Sequence, residues 1–304
     1  MKTRAAVIYE MNKPLPYAQS KPLVIEEVDL APPGEGELLI RVKAAGLCHS
    51  DLSSINGDRP RQMPMVLGHE AAGEIMECGA GIHDLKVGDH VALIFAPSCG
   101  TCIPCKDGHP GRCEPGQQAN GAGLLLGKQR RLSKNNQPVY HHVGVSAFAD
   151  YCVVNRGSVV KIDATLAWDE AALFGCAVLT GAGAVINTAQ TPPGSTVAVV
   201  GLGGVGLNAL LAAQLLGARR LIAIDIHDDK LALAKQLGAT DTVNAKADNA
   251  IAAVKDLTGG GVEYAFEMAG STQAMELAYR ITRRGGTTVS AGLPHPDHRW
   301  PLQL

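Results

Sequence analysis

The feature that most constrains the fold is a glycine-rich turn between an apolar run and an alanine-rich run, "VAVVGLGGVGLNALLAAQLLG". Gly201, Gly203 and Gly206 stand there in G-x-G-x-x-G spacing. This pattern is typical of a strand, a tight turn and a helix whose backbone admits a pyrophosphate group. The N-terminus of the helix would then offer free N–H groups to the phosphates. The segment therefore predicts a dinucleotide site.

The carboxylate of Asp225 strengthens this prediction, because it ends the next apolar run, about 20 positions beyond the last glycine. An acidic residue at that place accepts hydrogen bonds from the adenosine ribose 2′-hydroxyl and repels a 2′-phosphate. No arginine follows it within "DIHDDK", so the sequence favours NAD over NADP. The alternative is that Asp225 only caps the following helix.

Two domains are expected in a chain of 304 residues. Apolar strands alternate with helical runs from "STVAVVG" to "GTTVSAG", which predicts βαβ units and a parallel sheet. From about residue 20 to 163, short β-like runs separated by turns predict a β-rich, barrel-like domain. We interpret the polar, glycine-rich segment 114–142 as a surface excursion without regular structure.

Charge and hydropathy exclude several classes of partner. The net charge is −2 and aromatic residues make up 4%, so neither nucleic acid nor an anionic membrane is an expected partner. The N-terminus "MKTRAAVIYE" lacks the apolar core of a signal peptide. Apolar runs are predicted to be too short for a membrane span of about 18 residues. We therefore expect a cytoplasmic protein whose eight cysteines serve as metal or catalytic thiols rather than disulfides.

Four of these cysteines lie close together, in C-x2-C-x2-C-x7-C spacing on glycine- and proline-rich turns: Cys99, Cys102, Cys105 and Cys113. Turns can aim successive Sγ atoms at one ion, and four-cysteine zinc sites are closed and structural. An iron–sulfur cluster is the alternative, since C-x2-C-x2-C also opens a bacterial ferredoxin motif. In that motif the fourth cysteine follows sooner and precedes proline, whereas Glu114 follows here. The spacing therefore favours zinc.

Other candidate ligands are dispersed along the chain. Cys48 lies in "GLCHSDL", His69 and Glu70 lie in "GHEAAG", and Cys176 lies in "GCAVLTG". Each has a structural interpretation by itself, because free cysteines and single histidines are often buried packing residues. Spacing alone cannot bring positions 48, 69 and 176 together.

Taken in order, "GLCHSDL", "GHEAAG", "VGDHV", "CGTCIPCKDGHPGRC", "GCAVLTG", "GLGGVG" and "AIDI" resemble the zinc-dependent alcohol dehydrogenases of the medium-chain dehydrogenase/reductase family. The resemblance covers essentially the whole chain. It implies a GroES-like β-barrel catalytic domain over 1–177 and a partial Rossmann domain, a doubly wound parallel sheet that binds NAD, over 178–304. Family members continue beyond "SAGLP" with a further strand, so we expect this chain to be C-terminally truncated. A homodimer or homotetramer is also expected.

The resemblance further implies roles for individual residues. Cys48, His69 and Cys176 would hold a catalytic zinc with one position left for water or substrate. Glu70 would lie behind the metal as an occasional ligand, and Asp51 would orient His69. The remaining implied roles are a proton relay through Ser50, a pyrophosphate contact from His49, nicotinamide contacts from Thr180, Ala291 and Leu293, ribose contacts from Asp225 and Lys230, a substrate pocket lined by Phe95, a structural zinc on Cys99, Cys102, Cys105 and Cys113, and packing by Cys78 and Cys152.

The implied reaction is the reversible, NAD-dependent oxidation of an alcohol to an aldehyde or ketone, with zinc as the Lewis acid and hydride passing to the nicotinamide. Segment 114–142 followed by "VGVSAFADY" also resembles S-(hydroxymethyl)glutathione and aryl alcohol dehydrogenases. However, "INGDRPRQ" has no firm counterpart of their glutathione-binding acidic pattern. A non-catalytic NAD-binding zinc protein is the remote alternative. Ser53 stands where some members carry the histidine that ends the proton relay, which leaves the proton's exit open.

Overall fold

The computed structural model describes residues 1–301 and divides the chain into two compact units, Met1–Cys176 and Ala177–Leu304. The sequence predicts a boundary one residue later, after residue 177. Each unit has hydrophobic clusters of its own. A β-rich first unit and a parallel α/β second unit confirm the predicted fold class.

The first unit combines a closed five-stranded barrel with a second five-stranded sheet. Its strands are β1 (Lys2–Ile8), β2 (Leu23–Leu30), β3 (Glu37–Gly46), β4 (Met65–Val66), β5 (Glu70–Cys78), β6 (His90–Leu93), β7 (Leu132–Lys134), β8 (Gln137–His141), β9 (Tyr151–Asn155) and β10 (Val159–Lys161). Its helices are α1 (Tyr17–Ser20), α2 (His49–Ile55), α3 (Ile103–Lys106), α4 (Glu114–Gly121) and α5 (Trp168–Leu173). The barrel order is β1-β2-β7-β8-β4, and the sheet order is β10-β6-β5-β3-β9.

Segment 114–142 is not the structureless excursion that the sequence predicted. It contains α4 and the β7–β8 hairpin, and the hairpin supplies two of the barrel strands. Asn135 and Asn136 form the turn with φ of 49° and 61°. Positive φ at both central residues is typical of a type I′ hairpin turn, for which asparagine is favoured. The runs "LSK" and "QPVYH" were too short to be recognised as strands, but the asparagine pair was a usable signal.

The second unit is a parallel five-stranded sheet in the order β13-β12-β11-β14-β15. Its strands are β11 (Thr196–Val200), β12 (Arg220–Asp225), β13 (Asp241–Asn244), β14 (Val262–Glu267) and β15 (Thr282–Ser290). Its helices are α6 (Leu179–Gly183), α7 (Gly204–Leu215), α8 (Asp228–Gln236), α9 (Ala250–Thr258) and α10 (Thr272–Ile281). Apolar clusters cover both faces of the sheet, as a doubly wound arrangement requires.

One strand was missed and one helix boundary differs from the sequence prediction. The first strand, β1, was missed because "MKTRAAVIYE" was considered only as a leader segment, yet it pairs with β2 from Lys2↔Asp29 to Ile8↔Leu23. The helix "TQAMELAYRITRR" was expected to reach Arg284 but ends at Ile281. Thr282 donates its hydroxyl to the Ala278 carbonyl at 2.8 Å and starts β15.

One helix corrects the expectation that every apolar run is too short for a membrane span. Trp168–Thr188 has 21 residues and a mean hydropathy of 1.6, so it is long and apolar enough to cross a membrane. The core helix of a soluble protein can be equally long and apolar, and α5, which begins this helix, packs on β3 and β5. A π-helical turn over Phe174–Val178 interrupts the helix and carries Cys176. Such turns are frequent at functional sites.

Candidate active site

Three dispersed residues meet in the first unit. Cys48 is the N-cap of α2, His69 directly precedes β5, and Cys176 lies in the π-helical turn. The Sγ atoms of Cys48 and Cys176 are 3.9 Å apart, and Cys176 Sγ lies 3.6 Å from His69 Nε2. The three ligand atoms all lie within 4.8 Å of one another. The fold thus assembles a cluster, here called the three-donor site, that sequence spacing could not assemble.

The distances fit one tetrahedral zinc ion. With Zn–S of about 2.3 Å and Zn–N of about 2.0–2.1 Å, tetrahedral geometry puts two sulfur ligands about 3.8 Å apart and a sulfur and a nitrogen ligand about 3.6 Å apart. The observed separations of 3.9 and 3.6 Å match those edges. Two thiols and one imidazole also leave the fourth corner to a non-protein ligand, as in catalytic zinc sites.

The electrostatics of the three-donor site favour a bound cation. The hydrogen bond with Cys176 is the main reason that the pKa of Cys48 falls to about 3. The same hydrogen bond, together with burial, raises the pKa of Cys176. Burial lowers the pKa of His69, but hydrogen bonds with Asp51 and Cys48 outweigh it and raise that pKa to about 10. Cys48 is therefore a thiolate, whereas Cys176 and His69 hold protons that a divalent cation would displace.

The buried Asp51 carboxylate hydrogen-bonds to groups that carry the zinc ligands. Its Oδ2 accepts the N–H of Cys48 at 3.1 Å, while its Oδ1 accepts the N–H of Gly68 at 3.2 Å. Oδ1 also lies 3.2 Å from Nδ1 of His69. A carboxylate that receives the Nδ1 proton leaves Nε2 as the ligand nitrogen. Burial raises the pKa of Asp51, but its hydrogen bonds with His142 and His69 more than offset this and keep that pKa below its usual range.

Other predicted residues surround the three-donor site. Ser50 Oγ lies 3.5 Å from Cys48 Sγ. The ring of Phe95 meets the His69 ring edge to face, with centroids 5.8 Å apart. Glu70 is 3% exposed and faces Gly46, where any Cβ would lie 3.0 Å from the Glu70 side chain. His49, by contrast, is exposed at the start of α2.

The four-cysteine cluster forms a second donor set, here called the four-cysteine site, in which the ligand atoms of Cys99, Cys102, Cys105 and Cys113 lie within 4.8 Å of one another. Backbone N–H groups point at the sulfurs: Cys99 N–H donates to Cys113 Sγ at 3.2 Å, and Cys102 N–H donates to Cys99 Sγ at 3.3 Å. Such bonds favour thiolates over thiols. Four thiolates complete a tetrahedral shell, so this set suits a closed structural zinc. Cys78 and Cys152 belong to neither set.

The nucleotide loop has the geometry that a pyrophosphate needs. Gly201 has φ of +92°, and a Cβ at Gly206 would lie 1.8 Å from the Gly201 carbonyl oxygen. Space is open beside Gly203, where a Cβ would meet nothing within 4 Å. A cavity of about 500 Å³ lies beside this loop and is lined by Asp225, Ile226, Ile251 and Leu277 among others.

Asp225 holds this loop together. Its Oδ2 accepts the N–H of Leu202 at 2.7 Å, and its Oδ1 accepts the N–H of His227 at 3.0 Å. Helix α8 has His227 as its N-cap residue and no side-chain cap, so the alternative role of Asp225 as the helix cap is not what the hydrogen bonds show. Lys230 lies in the first turns of α8 and Thr180 in α6.

Glu267, which no sequence motif singled out, connects two loops of the second unit. It is 1% exposed at the end of β14, and its Oε1 accepts N–H groups of Ala269 and Gly270 at 2.8 and 2.6 Å. Its main-chain carbonyl accepts the N–H of Ala291 at 2.9 Å. Leu293 lies against Gly270, where a Cβ would be 2.8 Å from the Leu293 nitrogen. A buried glutamate at a strand end was the available signal.

Comparison with known proteins supports the same class. Residues 34–164 match the alcohol dehydrogenase GroES-like domain, and residues 204–303 match the zinc-binding dehydrogenase family. The S-(hydroxymethyl)glutathione dehydrogenase of Synechocystis sp. is 41% identical over 297 residues, which is 96% of this chain and 78% of that protein.

Two solved structures also have folds similar to that of this chain. Benzyl alcohol dehydrogenase from Acinetobacter calcoaceticus has a TM-score of 0.91 at 32% identity and covers 100% of this chain and 80% of its own. A zinc-binding dehydrogenase from Sinorhizobium meliloti 1021 bound to NADP has a TM-score of 0.77 at 26% identity, with coverage of 100% and 80%.

The barrel with its donor sets and the sheet with its glycine loop define an oxidoreductase that acts on CH–OH groups with zinc and a nicotinamide dinucleotide. The chain belongs to the zinc-dependent alcohol dehydrogenases of the medium-chain dehydrogenase/reductase family. The family and the enzyme class predicted from the sequence are therefore confirmed.

Proposed function

We propose that the chain oxidises a small alcohol reversibly to an aldehyde or ketone at the three-donor site, with NAD as hydride acceptor. The observation that carries this proposal is the contrast between the two donor sets. The four-cysteine site fills every position of a tetrahedron, whereas Cys48, His69 and Cys176 leave one position for a substrate oxygen. Zinc held there would supply a Lewis acid for that oxygen.

The residues around the donors take the remaining steps. Ser50 would relay the alcohol proton: its hydroxyl, 3.5 Å from Cys48 Sγ at the edge of the donor set, accepts that proton as it passes its own proton onward. Asp51 keeps the Nδ1 proton on His69. Phe95, packed edge to face on the His69 ring, lines the substrate pocket and excludes water. Glu70, which is buried and next to His69 in the chain, would serve as an occasional ligand.

NAD is the proposed cofactor because Asp225 presents a buried carboxylate beside the glycine loop. A 2′-phosphate would be repelled there, while a ribose hydroxyl would be bound. NADP in the Sinorhizobium meliloti structure belongs to that protein, so the choice in this chain rests on its own Asp225. The other proposed cofactor contacts are Gly201, Gly203, Gly206, His49, Thr180, Lys230, Ala291 and Leu293.

S-(hydroxymethyl)glutathione is the second candidate substrate, favoured by the name of the Synechocystis relative. Aryl alcohols are favoured in the same way by the Acinetobacter structure. Against the glutathione adduct, segment 56–62 carries Arg59 and Arg61 and only one acidic residue, Asp58. The two arginines do not provide the carboxylates that would bind the amino group of a glutathionyl moiety.

We further propose that residues 1–177 act as the catalytic domain and that residues 178–304 bind the cofactor. Residues 302–304 lie outside the described part of the chain. A homodimer or homotetramer in the cytoplasm completes the proposal. The cytoplasmic location is supported by the eight cysteines, none of which is in a disulfide, as suits a reducing compartment.

The test begins with metal analysis and the variant Cys48→Ala. We expect two zinc ions per chain in the purified protein, and one ion in Cys48→Ala together with loss of NADH production but retention of the fold by circular dichroism. Cys152→Ala, which removes a buried thiol outside both donor sets, should keep both ions. Iron with labile sulfide, or a zinc content insensitive to Cys48→Ala, would contradict the proposal.

Substrate choice is tested with NADH absorbance on aliphatic alcohols, benzyl alcohols and formaldehyde with glutathione. We expect the highest kcat/KM with a simple alcohol. A preference for the glutathione adduct by ten-fold or more would replace the first candidate by the second.

A further inference from the structure

His142 is a buried histidine that neither the motifs nor the mechanism uses. It is 1% exposed and directly follows β8. Its ring meets the ring of His69 edge to face, with centroids 5.4 Å apart. Asp51, His69 and His142 each place a ligand-type atom within 4.8 Å of the others. A polar ring so deeply buried beside a metal ligand needs a physical reason.

The contact with Asp51 provides that reason. His142 Nδ1 lies 3.3 Å from Asp51 Oδ1, the same oxygen that faces His69 Nδ1. Within residues 1–301, His142 Nδ1 has no hydrogen-bond partner of good geometry, so Asp51 Oδ1 is the acceptor at hand for its proton. The main chain that carries the ring is also fixed, because the backbone N–H of His142 donates to Ser146 Oγ at 2.8 Å.

We infer that His142 is a positioning residue: it fixes the Asp51 carboxylate between two imidazoles, and through Asp51 it sets the orientation of His69 in the three-donor site. This inference rests on the proposed function, because it requires a metal at that site. Asp51 Oδ2 is fixed by the N–H of Cys48. On the other oxygen, His142 and the N–H of Gly68 limit rotation of the carboxylate.

In the wild-type protein, this positioning is expected to slow the release of zinc from the three-donor site. Groups that support a metal-bound histidine typically change metal affinity or activity by about 10- to 100-fold. We therefore expect His142→Phe, which keeps a ring and removes the donor, to release the site's zinc to a chelator about ten-fold faster. The absorption bands of a cobalt-substituted site should shift as well, since the ligand ring is free to turn.

Two amide variants distinguish the role of the His142 Nδ1 hydrogen-bond donor from that of side-chain volume. Asparagine places its amide near the position of Nδ1, whereas glutamine places its amide farther out. We expect His142→Asn to approach the wild-type release rate and His142→Gln to resemble His142→Phe. His141→Gln is the matched control: His141 is the adjacent buried histidine, and its Nε2 accepts the N–H of Arg131 at 3.1 Å, away from Asp51. That control should leave zinc release and the cobalt spectrum unchanged.

Zinc release is followed with a chromogenic chelator, and the phase that Cys48→Ala abolishes identifies the three-donor site. Absence of any such phase overturns the proposed function itself. A phase that is present, but equally fast in wild type, His142→Asn and His142→Gln, overturns the inference about His142 alone. If His142→Phe fails to fold, the two amide variants still decide the question.

Discussion

At the scale of single residues, Asp225 combines two tasks in one carboxylate. Its two oxygens already accept N–H groups from Leu202 and His227, so the carboxylate fixes the glycine loop as well as carrying the charge that would face the ribose. A substitution that removes both acceptors would disturb the loop and the cofactor choice at once. The useful variant is one that removes the charge and keeps an acceptor.

Asp225→Asn meets that condition. We expect its ratio of kcat/KM for NADP to that for NAD to rise about ten-fold, equivalent to about 1.4 kcal/mol, because the repulsion of a 2′-phosphate is relieved. Steady-state kinetics with both cofactors measure the ratio. Asp228→Asn, which removes the same charge from the first turn of α8, should leave it unchanged. An unaltered NAD preference in Asp225→Asn would argue against the ribose contact.

The three-donor site could not be predicted from local sequence patterns. The glycine spacing and Asp225 could be interpreted directly, because local geometry links a strand, a turn and a helix. Cys48 and Cys176 are separated by 128 positions, and only the family resemblance suggested that they meet. His142 carries no motif of its own, and its position beside Asp51 depends on how β8 closes the barrel.

At the scale of elements, the β7–β8 hairpin depends on its turn. Asn135 and Asn136 both have positive φ and are exposed, so their cost lies in backbone conformation rather than in lost contacts. Glycine adopts that conformation without the steric penalty of a Cβ, and Asn-Gly is the preferred type I′ pair. Side-chain substitutions at Asn136 therefore report on the turn alone.

Asn136→Gly should raise the free energy of unfolding by about 0.5 kcal/mol, whereas Asn136→Ala should lower it by about 1 kcal/mol. Denaturant titration followed by circular dichroism measures both. Gln137→Ala, at the exposed next position, is expected to change stability by less than about 0.5 kcal/mol. Equal stabilities of the glycine and alanine variants would show that the turn is not held in the left-handed conformation.

The four-cysteine site is a second element whose order depends on its ion. The short α3 and the turns between Cys99 and Cys113 bury few residues, so metal coordination rather than an apolar core holds the segment. Cys105→Ser should lose one zinc per chain and become cleavable by trypsin after Lys106 and Arg112. The zinc of the three-donor site should be retained.

Zinc analysis and the masses of tryptic fragments check this. Cys78→Ser, a change outside both donor sets, should keep two ions and resist cleavage. Unchanged trypsin resistance in Cys105→Ser would mean that packing, not zinc, orders the segment.

At the scale of the whole molecule, stability should depend on acid because of a buried neutral histidine. Burial, followed by the charges of Arg131 and Arg130, lowers the pKa of His141 to about 3, whereas an unfolded histidine titrates near 6.5. Below pH 6.5 the unfolded chain takes up a proton that the folded chain refuses until about pH 3. The stability contributed by a neutral, buried His141 is therefore fully present above pH 6.5 and is lost as the pH falls from 6.5 towards 3.

His141→Gln removes the titrating group and keeps an acceptor for the N–H of Arg131. The difference in unfolding free energy between wild type and variant should shrink between pH 7 and pH 5, by up to about 1.4 kcal/mol per pH unit below 6.5. Denaturant titrations at several pH values measure it. A difference that stays constant with pH would contradict a neutral, buried His141.

The overall architecture was largely predictable, since alternating strands and helices fix a parallel sheet and regularly spaced short strands fix a β-rich unit. The errors have identifiable physical causes. Strand β1 forms through pairing with β2 rather than through its own pattern, and β7 and β8 are three and five residues long. Pairing energy and turn geometry, not periodicity, made these segments strands.

The spacing of the thiols also bears on how a new chain acquires its metals. Cys102 and Cys113 are 11 positions apart, so the four-cysteine site can close a short loop around an ion as soon as that segment leaves the ribosome. Cys48 and Cys176 are 128 positions apart and require a finished barrel. We therefore expect metal binding to be ordered in time, with the four-cysteine site able to take its ion during synthesis and the three-donor site only after the chain through Cys176 has folded.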